Sequence, residues 1–333
     1  MDKRYKRVLV TGGAGYVGSN LVPKLLQDGY EVAVLDLYLY GHEVFEELQS
    51  EPGLTEVEGD LRNPDDVARA VAGCDAAIHL ACISNDPSFD LDPDLGRSIN
   101  YDCFRPLVKA CKSAGVGRFI YASSSSVYGI KEGANVTEDL PREPLTDYSK
   151  FKALCEDELE EEREPGFVTV TIRPATVCGY APRLRLDLTV NILTNHAINN
   201  GCITVFGGEQ LRPNIHIDDM TDLYRHLLLL PDEDVDGRVW NAGYENFKVR
   251  EIAEMVQATL QCPVEIEVTP TDDHRSYHVC SDRIASDIGF RPKHTIEEAI
   301  ADLAQAFAAG KVPDPMADDR YYNIRRMQAL NLS

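Results

Sequence analysis

The chain has 333 residues, room for two domains or for one large domain carrying a lobe. With 44% hydrophobic and 26% charged residues its composition is that of a globular protein, which excludes a disordered tail and a disulfide-stapled miniprotein. The 33 basic residues against 55 acidic ones leave a formal net charge of −22, which argues against a general nucleic-acid-binding or anionic-membrane surface.

The longest apolar runs, such as 227–230, fall far short of the roughly 20 residues that span a bilayer. Near the start, Lys3, Arg4, Lys6 and Arg7 are followed by only three apolar residues before Thr11-Gly12-Gly13, so no secretory signal is read there and a cytoplasmic protein is expected. The nine cysteines are odd in number, scattered and never spaced as Cys-x-x-Cys, which fits reduced core thiols.

In chain order, short apolar runs at 8–10, 32–35, 76–80, 119–122 and 168–172 read as buried parallel strands. Helical patterns at 15–27, 64–71, 92–113 and 147–162 separate them, and the dense acidic stretch 156–164 reads as a solvated helix face. This alternation predicts an α/β fold with a Rossmann-type doubly wound parallel sheet. After Arg173-Pro174 the rhythm changes. Helices near 188–199, 218–230, 249–260 and 296–308 mix with strands near 203–206 and 239–242, which suggests a smaller mixed α/β lobe. The division is placed at 1–178 and 179–333, as a soft boundary that the chain can cross more than once.

The run Val8-Leu9-Val10-Thr11-Gly12-Gly13-Ala14-Gly15-Tyr16-Val17-Gly18 reads as strand, glycine turn and helix start. Gly12 and Gly15 let the backbone curl against a pyrophosphate, the helix N-terminus offers free N–H groups, and Gly18 allows close helix-to-strand packing. Asp36 ends the next strand, where a carboxylate can hold an adenosine ribose diol and repel a 2′-phosphate, so NAD is expected rather than NADP. Asp60-Leu61 can bracket the adenine, or Asp60 can cap the helix starting at Pro64.

Tyr148 and Lys152 stand four apart on a helical pattern, within reach of one ligand. A tyrosine with a pKa near 10 is a poor base at neutral pH, and an ammonium neighbour and a positive nicotinamide ring would both favour its phenolate. Ahead of it, residues 121–129 run from a strand into a serine-rich turn at the C-terminal edge of the sheet, where ligands of such folds bind.

The glycine turn, Ile78-His79-Leu80-Ala81, residues 123–129, Tyr148-x-x-x-Lys152 and Arg173-Pro174 fall in the order seen in extended short-chain dehydrogenases/reductases, and the whole chain resembles their nucleotide-sugar epimerase/dehydratase family. The resemblance implies Ser124, Tyr148 and Lys152 as the catalytic set. It implies cofactor contacts from Gly12, Gly15, Tyr16, Val17, Gly18, Asp36, Asp60, Leu61, Leu80, Ala81, Asn100, Ser123, Tyr148, Lys152 and Pro174.

On the substrate side it implies Ser84, Ser125 and Ser126, with Arg183, Arg185, Arg212 and Arg275 as cations for a nucleoside diphosphate, a role that suits the planar guanidinium fork. Arg183 and Arg185 can equally form structural ion pairs. The Pro182-Arg183-x-Arg185-Leu186-Asp187-Leu188 run with Arg275-x-Tyr277 is similar to a bacterial subgroup that includes GDP-heptose 4-dehydrogenases.

Two departures from the family pattern matter. Dehydratases of the family carry Asp-Glu where this chain has Ser125-Ser126, which disfavours water elimination; Cys178 stands where relatives carry an aromatic residue, and reads as a small buried thiol.

The expected reaction is NAD-dependent C4 epimerisation of a nucleoside-diphosphate sugar through a 4-keto intermediate. Release of the keto sugar by a dehydrogenase, then dehydration, then a non-catalytic NAD-binding role are the alternatives. No metal is expected, since His274 and His278 have no third ligand nearby in sequence. The resemblance further implies a homodimer through helices at 95–113 and 147–162.

Overall fold

The computed structural model describes residues 4–84, 86–131, 135–261, 263–271, 276 and 278–330. Strand β1 (Arg7–Thr11) leads through the glycine turn into α1 (Tyr16–Gln27), followed by β2 (Glu31–Asp36), β3 (Leu54–Glu58), α2 (Pro64–Val71) and β4 (Ala76–His79). Short helices α3 (Asp86–Phe89) and α4 (Pro93–Arg97) precede α5 (Phe104–Ser113), β5 (Arg118–Ala122), α6 (Asp147–Glu161) and β6 (Val168–Pro174). Next come β7 (Thr176–Cys178), α7 (Thr189–Asn200), β8 (Cys202–Phe206), β9 (Leu211–His216), α8 (Ile217–Leu227), α9 (Asp232–Val235) and β10 (Arg238–Ala242). The described chain closes with β11 (Glu245–Lys248), α10 (Val249–Leu260), β12 (Glu265–Thr269), α11 (Asp282–Ile288), α12 (Ile296–Ala308) and α13 (Asn323–Leu330).

Seven parallel strands form the main sheet in the order β10-β6-β5-β4-β1-β2-β3, so the strand order reverses between β1 and β4, where a doubly wound sheet opens a ligand crevice. Side chains alternate along the strands. Val8, Val10, Val32 and Val34 face one core with Leu21, Leu25, Leu223 and Leu227, while Leu9, Ala33 and Leu35 face a second core with Val67, Leu107, Val108 and Leu159. Helices α1 and α8 therefore cover one face and α2, α5 and α6 the other. A further core joins α7, β8, α10 and α12 through Val190, Leu193, Ile203, Val205, Ile252 and Ile300.

After 178/179 the chain crosses back to the main sheet, where α8 packs over α1 and β10 pairs with β6 as the seventh strand. Two expectations need correcting. The helix expected over 92–113 is broken into α4, a π-helical turn at Ser98–Asp102 and α5. Pro106 cannot donate to the carbonyl of Asp102, so a regular α-helix cannot run through that turn. The acidic stretch 156–164 is not simply a solvated face: Glu156 is buried against Arg173, and Glu158 and Glu162 pair with Arg105 and Lys112.

Candidate active site

The crevice at the β1/β4 reversal is a cavity of about 570 Å³, lined by the glycine turn, the ends of β2 and β4, the serine turn after β5, the first turn of α6, residues 174–177 and alternate residues of 183–189. Glycine is required where the turn is tightest. Gly12 has a φ of +72°, and a Cβ there would lie 2.6 Å from the Ala81 backbone nitrogen; at Gly18 a Cβ would lie 2.4 Å from the Gly13 carbonyl. No side chain caps α1 at Gly15, so the helix dipole and first N–H groups are offered to an anion, and the turn fits the pyrophosphate of a dinucleotide. Tyr16, at the start of α1, donates from its hydroxyl to the Gly179 carbonyl at 2.6 Å and thereby ties the turn to the second half of the chain.

Asp36 accepts the Ala14 N–H at 2.9 Å on one carboxylate oxygen and the Tyr38 N–H at 2.9 Å on the other, which fixes its orientation at the cavity edge. Burial raises its pKa, and these N–H bonds and the charge of Arg183 oppose the rise. Asp60 and Leu61 also line this end, and Asp60 does not cap α2. That cap is Asn63, which accepts the Asp65 N–H, while Asp60 is gripped by Arg62, whose hold outweighs burial and lowers the carboxyl pKa. Val17, Leu80, Ala81 and Pro174 line the cavity as well.

Asn100 is absent from the wall. The π-helical turn aims it at the loop after β4, where its side chain both accepts the Ile83 N–H at 2.8 Å and donates to the Ile83 carbonyl at 2.9 Å.

On the cavity wall the serine turn meets α6. Ser124 opens the turn at residues 125–128, accepting the Ser126 N–H at 3.2 Å and lying 2.9 Å from the Ser126 hydroxyl; Ser125 and Ser126 also face the cavity. Helix α6 starts at a capping box in which the Thr146 hydroxyl and Ser149 exchange bonds with each other's backbone, and this sets Tyr148 and Lys152 on the cavity side. Burial pushes the Tyr148 phenol pKa up, Cys82 and Asp86 add to the rise, and the Ser124 hydrogen bond and the charge of Arg185 oppose it.

Lys152 is buried, donates to the Ala122 carbonyl at 2.6 Å and lies 6.0 Å from the centroid of the Tyr148 ring. Ser123 donates to Glu156 at 2.5 Å, and Glu156 takes two hydrogen bonds from Arg173, at 3.0 and 2.6 Å. The sequence reading missed this ionic floor beneath the site.

Three of the four expected substrate-side arginines, Arg183, Arg185 and Arg212, line the cavity, as does Thr189, where α7 begins without a side-chain cap. Arg185 is held by Asp187 at 2.9 Å and donates to Ser84 at 2.9 Å, with one buried guanidinium nitrogen left without a hydrogen bond. Arg183 lies 3.5 Å from the centroid of the Tyr40 ring, in the fields of Arg185, Asp187 and Asp36. Arg275, and His274 with it, lies outside the described residues. Cys178 is buried behind the wall, donating to the Ile215 carbonyl, while Thr176 and Val177 face inward. Among the described residues, no helix is long and apolar enough to cross a membrane.

A UDP-glucose 4-epimerase of Lactobacillus helveticus is 27% identical over 320 residues, spanning 89% of this chain and 95% of that protein. A 3-beta-hydroxysteroid dehydrogenase of Mycolicibacterium neoaurum is 37% identical over 199 residues, 57% of this chain and 53% of the relative. The crystal structure of a Thermus thermophilus UDP-glucose 4-epimerase in complex with NAD superposes with a TM-score of 0.80 at 27% identity, covering 91% of this chain and 99% of that one. The NAD dependent epimerase/dehydratase family matches residues 8–243, and this span contains the glycine turn, Asp36, the serine turn and the Tyr148–Lys152 pair. The chain belongs to the NAD-dependent epimerase/dehydratase family of extended short-chain dehydrogenases/reductases.

Proposed function

We propose that the enzyme is a nucleoside-diphosphate-sugar 4-epimerase working through a 4-keto sugar. The observation that carries this reading is that one cavity gathers three kinds of group: the glycine turn and Asp36 for a dinucleotide, the hydroxyls of Ser124 and Tyr148, and Arg212 with the uncapped start of α7 for an anionic substrate group. The relative and the solved structure that match over nearly their whole lengths and carry a sugar-nucleotide name support it.

NAD, when bound, supplies the hydride acceptor and donor. The glycine turn and Asp36 hold it. Tyr148 takes the proton from the sugar hydroxyl and later returns one, and Ser124 holds that hydroxyl in line with the phenol. Lys152 fixes the ring face of Tyr148 from its anchor on the Ala122 carbonyl. Ser125 and Ser126 bring no carboxylate to expel water, so the sugar keeps its oxygens. Inversion requires the keto sugar to turn over in the cavity before hydride returns to its other face.

Replacing Tyr148 by Phe tests the assignment. The variant is expected to bind NAD normally and to lose about a hundredfold to ten-thousandfold in kcat; turnover within a few-fold of the parent would defeat it. A homodimer through the α5 and α6 face accompanies this reading, supported by the exposed Leu154 on that face, at 41%. A molar mass in solution of one 37.0 kDa chain would contradict it.

A further inference from the structure

Helix α13 lies across the cofactor crevice. Its first residue, Asn323, is buried and tied on three sides: its N–H donates to Asp187 at 3.0 Å, its side-chain nitrogen donates to the Ser84 hydroxyl at 3.0 Å, and its side-chain oxygen accepts from Arg183 at 2.5 Å. Arg326 then donates to the Leu39 carbonyl at 2.5 Å, and Met327 packs in a small cluster with Ile83, Leu95 and Ile99. Leu39 follows β2 and Ser84 follows β4. Because β2 and β4 flank β1 on opposite sides, these loops are the two banks of the crevice, and α13 bridges them with Asn323 and Met327 on the cavity wall.

Under the bridge sits Arg183. It is 6% exposed, its guanidinium lies flat enough on Tyr40 to approach the ring centroid to 3.5 Å, and its Nε has no hydrogen-bond partner. Burial lowers its pKa to about 10, so the charge there is incompletely compensated by Asp36 and Asp187. A dinucleotide held at Gly12 and Asp36 brings anionic oxygens to this end of the crevice.

We propose that α13 straps the dinucleotide into its crevice, seating Arg183 against its anionic part through Asn323, so that NAD stays on the enzyme through turnover. This rests on the crevice being the NAD site and is independent of which sugar is used. A cofactor held in this way suits an epimerase, which returns the hydride it removes.

The test loads the full-length enzyme with isotope-labelled NAD, adds excess unlabelled NAD and follows release of label. Arg326→Ala removes only the tie to the Leu39 bank and a partner of Asp319, at a partly exposed position, so it keeps the test sound if Asn323→Ala fails to fold. Loss of one hydrogen bond from a charged group is expected to speed release about tenfold. Gln328→Ala, on the exposed side of α13, is expected to release at the parental rate. Slow parental release that quickens in Arg326→Ala, with unchanged circular dichroism, supports the strap. Release from the parent as fast as from the variant, or rates within twofold in all proteins, overturns it. Lack of turnover on every nucleotide sugar would refute the proposed substrate and leave this measurement standing.

Discussion

Glu156→Gln perturbs the ionic floor beneath the serine turn. Glu156 and Arg173 keep only 5% and 6% of their side-chain surface exposed, and both carboxylate oxygens are used by Arg173, with Ser123 sharing one and Arg142 lying 3.3 Å from the other. The second end of the Arg173 guanidinium donates to Tyr128 at 2.7 Å, and Tyr128 donates to Asn241 at 2.7 Å, so one network joins the serine turn, α6, β6 and β10. Burial alone would lower the Arg173 pKa, yet Glu156 outweighs it and the net shift is upward.

Neutralising Glu156 leaves a buried guanidinium without its counter-charge, which costs about 3–5 kcal/mol when a buried pair is broken on one side. That is a large fraction of the roughly 5–15 kcal/mol by which domains are stable. Gln retains one acceptor for Arg173, so the lower end of the range is expected. Equilibrium urea unfolding measures the loss, and a double-mutant cycle with Arg173→Met isolates the pair. Because Lys152 lies one helical turn before Glu156, kcat should fall too. A loss below about 1 kcal/mol, with no coupling in the cycle, would refute the network.

Other outcomes follow from single contacts. His79 is buried, lies 2.6 Å from the Thr11 hydroxyl, and its pKa is lowered to about 3 by burial and Lys152. Between its unfolded value near 6.5 and the native value the unfolded chain binds the proton, so stability falls as pH falls through that window, by about 1.4 kcal/mol per pH unit; His79→Gln should flatten that slope in urea titrations. Gly12→Ala forces a Cβ into the left-handed region and against Ala81, at about 1–2 kcal/mol for the backbone alone, and calorimetry should show NAD binding weakened by at least about tenfold. Tyr16→Phe removes the donor to the Gly179 carbonyl and the acceptor for Asn191, and is expected to lower stability by about 1–3 kcal/mol in the same assay.

The parts of the site legible in the sequence are those set by local spacing. The glycine turn is a single strand-turn-helix passage, Asp36 ends the next strand, and Tyr148 and Lys152 share one helix face, so their chemistry is visible without the fold. Glu156 begins an acidic run, and nothing local marks it as the partner of an arginine 17 residues on, across a helix-to-strand connection. The packing of α8 over the main sheet and the pairing of β10 within it are equally silent, because their patterns fit any amphipathic helix and buried strand. Arg183 and Arg185 stand two positions apart and meet in one cluster, Arg183 on Tyr40 and Asn323 and Arg185 on Ser84 and Asp187, with Asn323 bonded to both Ser84 and Asp187. Those partners come from distant segments, and only the tertiary fold assigns them.

The central claim is C4 inversion of a nucleoside-diphosphate sugar. It is tested most directly by incubating the enzyme with UDP-, GDP- and dTDP-sugars, following the absorbance of reduced nicotinamide and determining the configuration at C4 of the product. The account predicts an inverted sugar with no net reduced cofactor. Accumulation of reduced cofactor with a free keto sugar, or a 4-keto-6-deoxy product, would contradict it.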